Sequence, residues 1–213
     1  MKISESEVFR YLGYHSTPTD EHIVSQVALV SEEMVSNINP KNVFGIWECR
    51  IEEDSVTFGR VSIKSCELIC HLQSCDRVVL LAMTLGTVAD ILINRYNILD
   101  IEKGLIAQAV CTVMIEHYYD EIISEVMQNP NLSELYPTAR FSPGYGDFDI
   151  KWQKDILELL NAKNRIALFL SDGYMLIPLK SITAIIGFSK KKQDIYEKCT
   201  CCTNIQCAYR RIH

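Results

Sequence analysis

Val78-Val79-Leu80-Leu81-Ala82-Met83 is an uninterrupted apolar run. A strand with one wet face alternates apolar and polar residues, whereas a strand covered on both faces does not. The run therefore predicts a buried central strand, and Thr84-Leu85-Gly86-Thr87 after it opens a new helix. Upstream, 43–51 and 55–63 predict two strands joined by the acidic turn Glu52-Glu53-Asp54, with a helical segment over 65–72. Downstream, a helix over 152–160 precedes two more strands, 166–170 and 181–188. Strands and helices mix without a steady βαβ rhythm, which predicts an α+β fold.

The remaining segments predict helices. Ser4-x-x-Glu7 has capping-box spacing before Val8, Phe9 and Leu12. Thr17-Pro18-Thr19-Asp20 opens a second helix, with Pro18 expected in its first turn and Ile23, Val27 and Val30 on one face, and Asn39-Pro40 ends it. The longest pattern covers 104–127, where Leu105, Ala109, Val113, Ile123 and Met127 share a stripe that also holds Glu116 and Asp120. Either the helix turns toward solvent there, or the two carboxylates border a cleft that receives a cation.

The chain of 213 residues is long enough for a proper core and is read as one unit over 1–213, with a cysteine-rich tail at 199–213. A net charge of −6 with no basic stripe argues against a nucleic-acid partner. Met1-Lys2-Ile3-Ser4-Glu5-Ser6-Glu7 lacks the apolar core of a signal peptide, and no apolar run reaches membrane-spanning length. The expectation is a cytoplasmic protein without a membrane partner, in which clustered cysteines are ligands, redox groups or plain packing rather than disulfides.

Arg140-Phe141-Ser142-Pro143-Gly144-Tyr145-Gly146-Asp147-Phe148 places an arginine ahead of a Pro-Gly turn. Such a turn exposes backbone groups to a ligand, and arginine grips a carboxylate with two parallel hydrogen bonds. An ordinary turn with a surface Arg-Asp pair accounts for the same residues. Followed by Gln153-Lys154-Asp155, Leu170-Ser171-Asp172-Gly173-Tyr174-Met175-Leu176-Ile177-Pro178 and Ser181-Ile182-Thr183-Ala184-Ile185-Ile186-Gly187, the stretch resembles the activation domain of cobalamin-dependent methionine synthase, in a free-standing version.

That resemblance implies a twisted antiparallel sheet with flanking helices and a role in reductive reactivation. Cob(II)alamin, formed by accidental oxidation, receives an electron from a donor such as flavodoxin or ferredoxin. S-adenosylmethionine then supplies the methyl group. Carried onto this sequence, Arg140 holds S-adenosylmethionine, Pro143 and Gly144 form the turn against which it lies, and Tyr145 stands near the reacting centre. Tyr196 is the counterpart of a downstream ligand-contacting tyrosine. The family's early acidic residue has no evident match. Glu116 is the candidate, since a carboxylate near a sulfonium stabilises the cation. No Asp-x-His-x-x-Gly is present, Asp20-Glu21-His22 lacking the glycine, so cobalamin is expected on a partner, either a methionine synthase or a related corrinoid protein.

Four of nine cysteines lie in Cys199-Thr200-Cys201-Cys202-Thr203-Asn204-Ile205-Gln206-Cys207. Cys199, Cys202 and Cys207 have spacing that lets them converge on zinc or an iron–sulfur cluster, with Cys201, His213 or a distant cysteine as fourth ligand. Reduced, packed thiols fit equally. Cys66, Cys70 and Cys75 are read as packing residues. A radical S-adenosylmethionine enzyme would need Cys-x3-Cys-x2-Cys in a βα barrel, and this sequence has neither. The other alternative is a non-catalytic carrier of a metal or corrinoid, serving a different corrinoid methyltransferase.

Overall fold

The structure is a computed structural model that describes residues 3–14, 16 and 18–192. These form seven α-helices and nine strands in two compact units, one drawn from the described residues of 3–39 and 85–120, the other from 40–84 and 121–192. Among the described residues, no helix is long and apolar enough to cross a membrane.

The second unit is built on a four-stranded antiparallel sheet of order β1-β5-β9-β6. Its strands are β1 (Lys41–Glu48), β5 (Arg77–Thr84), β9 (Ser181–Ser189) and β6 (Tyr136–Pro137). β5 is the apolar run quoted above and lies centrally, pairing Leu80 with Gly45 on one side and with Ile185 on the other. Every residue from Val78 to Met83 is fully buried, on both faces of the strand, which is why no alternation appears in the sequence. Val78, Leu80 and Ala82 share a core with Val43, Ile185, Ile156, Leu160 and Ile166.

That core is closed by α6 (Gln153–Leu160) and α7 (Ala162–Ile166), both packed on β1 and β5. Gln153, the one buried polar residue of α6, has a partner at each end of its amide. Its amide donates to the Tyr174 carbonyl at 3.1 Å, and its oxygen accepts from Thr183 Oγ1 at 3.1 Å. Such pairing offsets the cost of taking an amide out of water.

Three smaller elements complete this unit. β2 (Arg50–Ile51), β3 (Val56–Phe58) and β4 (Val61–Ile63) form a second sheet, and α3 (Cys66–Leu72) follows it. β7 (Phe169–Leu170) and β8 (Leu176–Ile177) make a hairpin. The segments read as single strands over 43–51 and 55–63 each split in two. In the second case Gly59, at φ +57°, turns the chain back on itself. The strand read over 166–170 shrinks to β7, because α7 occupies its start.

The first unit holds α1 (Glu5–Tyr11), α2 (Glu21–Asn37) and α4 (Thr87–Leu99). α1 and α4 both pack on α2, and Arg95 reaches Glu33 across that contact at 2.5 Å. The capping box does not form: Ser4 precedes α1 without a side-chain cap, its hydroxyl lying 2.8 Å from that of Ser6. Pro18 stands before α2 rather than in its first turn, and Asp20 caps that helix through the His22 amide.

The long helix is α5 (Ile101–Val126), which runs from the first unit into the second. Its buried face includes Ile106, Val110, Met114, Ile122 and Val126 beside Ala109 and Val113, whereas Leu105 and Met127 are exposed. The apolar stripe is thus rotated by about one residue from the expected one.

Candidate functional site

The stretch 138–148 begins as a continuation of β6 along the edge of the sheet. The Thr138 amide donates to the Gly187 carbonyl at 2.8 Å, and Phe141 exchanges both backbone hydrogen bonds with Ile185 at 2.9 and 2.7 Å. Between these rungs the edge carries two residues, Ala139 and Arg140, where β9 carries one, Ile186. This is a β-bulge, and a bulge re-aims the side chains it carries. Arg140 therefore sits at a defect in the ladder, half-buried and with its Nη1 shielded from solvent.

The bulge is held from below by His71, on the last turn of α3. Its Nε2 lies 2.8 Å from the Ala139 carbonyl and 3.0 Å from Thr138 Oγ1, while the same hydroxyl accepts from the Gly187 amide at 3.0 Å. The imidazole stacks on Phe141, ring centres 5.0 Å apart, and Phe141 stacks in turn on the buried Phe148 at 6.0 Å. Burial pushes the His71 pKa below its ordinary 6.5, opposed by the bond to the Ala139 carbonyl. Burial thus favours the neutral ring, and because a carbonyl oxygen only accepts, Nε2 is the donor to Ala139.

After the bulge the chain turns sharply. Ser142 Oγ donates to the Thr183 carbonyl at 2.7 Å, the Tyr145 amide donates to the Ser142 carbonyl at 3.2 Å, and the Gly144 amide donates to the Phe148 carbonyl at 2.7 Å. Pro143 is buried and fixes the turn; Gly144 adopts φ +95°, which a side chain would oppose. Tyr145 is left 46% exposed, its ring 6.0 Å from that of Phe141. An exposed aromatic on a rigid turn offers a stacking face at small conformational cost.

Asp147 ties the far end of the turn to α3. Its carboxylate accepts from Ser65 Oγ at 2.5 Å, from the Cys66 amide at 2.7 Å and from the Glu67 amide at 3.2 Å. The Ser65 bond, followed by those amides, holds the Asp147 carboxyl below the usual 3.8. Gly146, at φ +54°, lies so close to Glu67 that a Cβ there would run into its carboxylate. The turn is thus pinned to β9 at one end and to α3 at the other.

Arg140, Pro143, Gly144 and Tyr145 fall together in this one feature. Glu116 is half-buried on the part of α5 that belongs to the first unit, and Asp120 is exposed. Tyr196, Cys199, Cys201, Cys202, Cys207 and His213 lie outside the described residues. Among the described residues no three His, Cys, Asp or Glu side chains converge as metal ligands. Cys75 packs against Gly187 as expected, while Cys66 and Cys70 are exposed. His71, Thr138 and Ser65 are the working residues that the sequence did not announce.

An arginine on a bulge and an exposed aromatic on the turn that follows it suit a ligand with a carboxylate at one end and a planar ring at the other. No family model and no curated protein matches the sequence. Among solved structures, the MetH reactivation domain bound to AdoHcy is similar, with a TM-score of 0.65 at 16% sequence identity over 90% of this chain and 75% of that chain. At that identity the likeness is one of fold: this chain has the mixed helix and antiparallel-sheet architecture of the MetH reactivation domain.

Proposed function

We propose that this chain binds S-adenosylmethionine on the bulge and turn of 138–148, as an accessory protein for reductive reactivation of a cobalamin-dependent methionine synthase. The observation that carries the reading is the bulge at Ala139 and Arg140 in a fold like that of a domain solved with AdoHcy. Arg140 grips the ligand carboxylate, the Pro143-Gly144 turn supports its body, and Tyr145 faces the reacting end. Glu116 and Tyr196 are the further proposed contacts.

S-adenosylmethionine supplies a methyl group and the partner's cobalamin receives it. The residues of this chain need only bind, orient and exclude water, because such a transfer depends on alignment more than on proton movement. The partner is a cobalamin-binding methionine synthase or related corrinoid protein, and the electron comes from flavodoxin or ferredoxin. Cys199, Cys202 and Cys207 are proposed to hold zinc or an iron–sulfur cluster; anaerobically prepared protein would then lose that metal in Cys202→Ser. The second reading, a carrier of metal or corrinoid, rests on those same cysteines.

Calorimetric titration of the full chain with S-adenosylmethionine tests the proposal. Saturable binding is expected, weakened by roughly 2–4 kcal/mol in Arg140→Ala. Absence of binding by the wild type overturns it, and a corrinoid retained tightly by the purified chain favours the carrier.

A further inference from the structure

A cavity of about 460 Å³ opens in the second unit between α6, α7, the β7 strand and the turn that joins β3 to β4. That size lies within the range of small-molecule sites, roughly 300–1,000 Å³. It shares no residue with the 138–148 turn.

Its charge runs against that of the molecule. The chain carries −6 overall, yet Arg60, Lys154 and Lys163 line this cavity against one carboxylate, Glu158. Arg60 approaches Glu158 only to 3.9 Å, with both side chains mostly exposed, so the pair neutralises little. Lys154 and Lys163 are exposed and make no ion pair with any described residue. The cavity thus has an excess of two positive charges in a setting that favours a dianion.

The opposite wall is apolar. Leu168 is fully buried beneath it, while half-buried Leu170 and Phe169, 43% exposed, present apolar surface to the opening. An exposed phenyl beside a partly exposed leucine accepts a planar ring. Asn164 Nδ2 donates to Asn161 Oδ1 at 2.7 Å, which turns the outer amide ends of the pair into one donor and one acceptor. A donor beside an acceptor is the pattern of a nucleobase edge.

We infer that this cavity binds a nucleoside monophosphate. The phosphate, a dianion near neutral pH, sits among Arg60, Lys154 and Lys163. The base lies against Phe169 and Leu170 with its edge toward Asn161 and Asn164.

The test is a titration of the full chain with AMP, GMP, CMP and UMP, each separately, with the four corresponding nucleosides and inorganic phosphate as partial probes. At least one monophosphate should saturate with a dissociation constant below about 1 mM. Its nucleoside and inorganic phosphate should each bind roughly tenfold or more weakly. The paired change Lys154→Ala with Lys163→Ala should cost roughly tenfold or more in affinity, and Phe169→Ala should weaken binding of the monophosphate but not of phosphate. All three residues are exposed, so circular dichroism should be unchanged. Arg140→Ala should leave this affinity intact, which separates it from the S-adenosylmethionine reading. Failure of all four monophosphates overturns the inference. So does equal binding of inorganic phosphate, affinity indifferent to the lysine pair, or affinity lost with Arg140.

Discussion

At the scale of single residues, His71 anchors the 138–148 turn from outside it, through the Ala139 carbonyl and the Thr138 hydroxyl. Its folded-state pKa is depressed by burial, so the unfolded chain takes up a proton at that ring before the folded chain does. The stability linked to the neutral ring is whole above the unfolded value of 6.5 and is lost as pH falls toward the folded one. Denaturant midpoints of the wild type should therefore decline as pH falls below the unfolded value of 6.5, and His71→Gln, which keeps a donor but does not titrate, should decline less. Identical slopes would show that the ring does not titrate with folding. Asp147 behaves in the same sense at lower pH. Its depressed carboxyl stabilises the fold above 3.8, and that contribution disappears as pH drops through the folded value, a loss that Asp147→Asn should abolish. Acid titration followed by fluorescence compares the two proteins.

At the scale of elements, backbone conformation sets two opposite expectations. Ala167 ends α7 in the left-handed region at φ +55° and is exposed, so Ala167→Gly should raise stability by about 1 kcal/mol in urea unfolding. Gly146 is left-handed and crowded by Glu67, so Gly146→Ala should lower stability by ~1–2 kcal/mol from the backbone alone. Neither effect was legible in the sequence, where Ala167 sits in an apparent strand. What was legible depended on local repetition. The run at Val78 to Met83, the core pattern of α6 and the strand Ser181–Ser189 declare themselves within a few residues. The bulge did not, because it is a mismatch of count between segments about 50 residues apart. The hold of His71 on Ala139 spans 68 residues and leaves no local trace. The Pro143-Gly144 turn was visible; what anchors it was not. The rotation of the α5 stripe has a similar origin, since Leu105 and Ile106 are equally apolar and only packing separates them.

At the scale of the whole molecule, the described cysteines divide by environment. Cys75 is buried with its thiol pushed up to about 12, and half-buried Cys49 to about 11, both chiefly by burial. Cys66 and Cys70 are exposed, and Cys111 is buried. Alkylation of the native protein, read peptide by peptide by mass spectrometry, should therefore modify Cys66 and Cys70 well before Cys75 and Cys111. Uniform labelling would contradict the packing of β9 over Cys75. The central position of β5 has a different consequence, one of timing. Thr84 pairs with Ser181, so one edge of the most apolar strand waits for a partner made 97 residues later. At ribosomal speeds of about 5–20 residues per second, that edge stays open for roughly 5–20 seconds in every nascent chain. During this interval β1 covers one side of β5 and nothing from β9 covers the other, leaving a template for pairing with neighbouring chains. A version of the chain stopped at Lys180 should accumulate in the insoluble fraction when expressed, and adding the segment 181–192 should return it to solution.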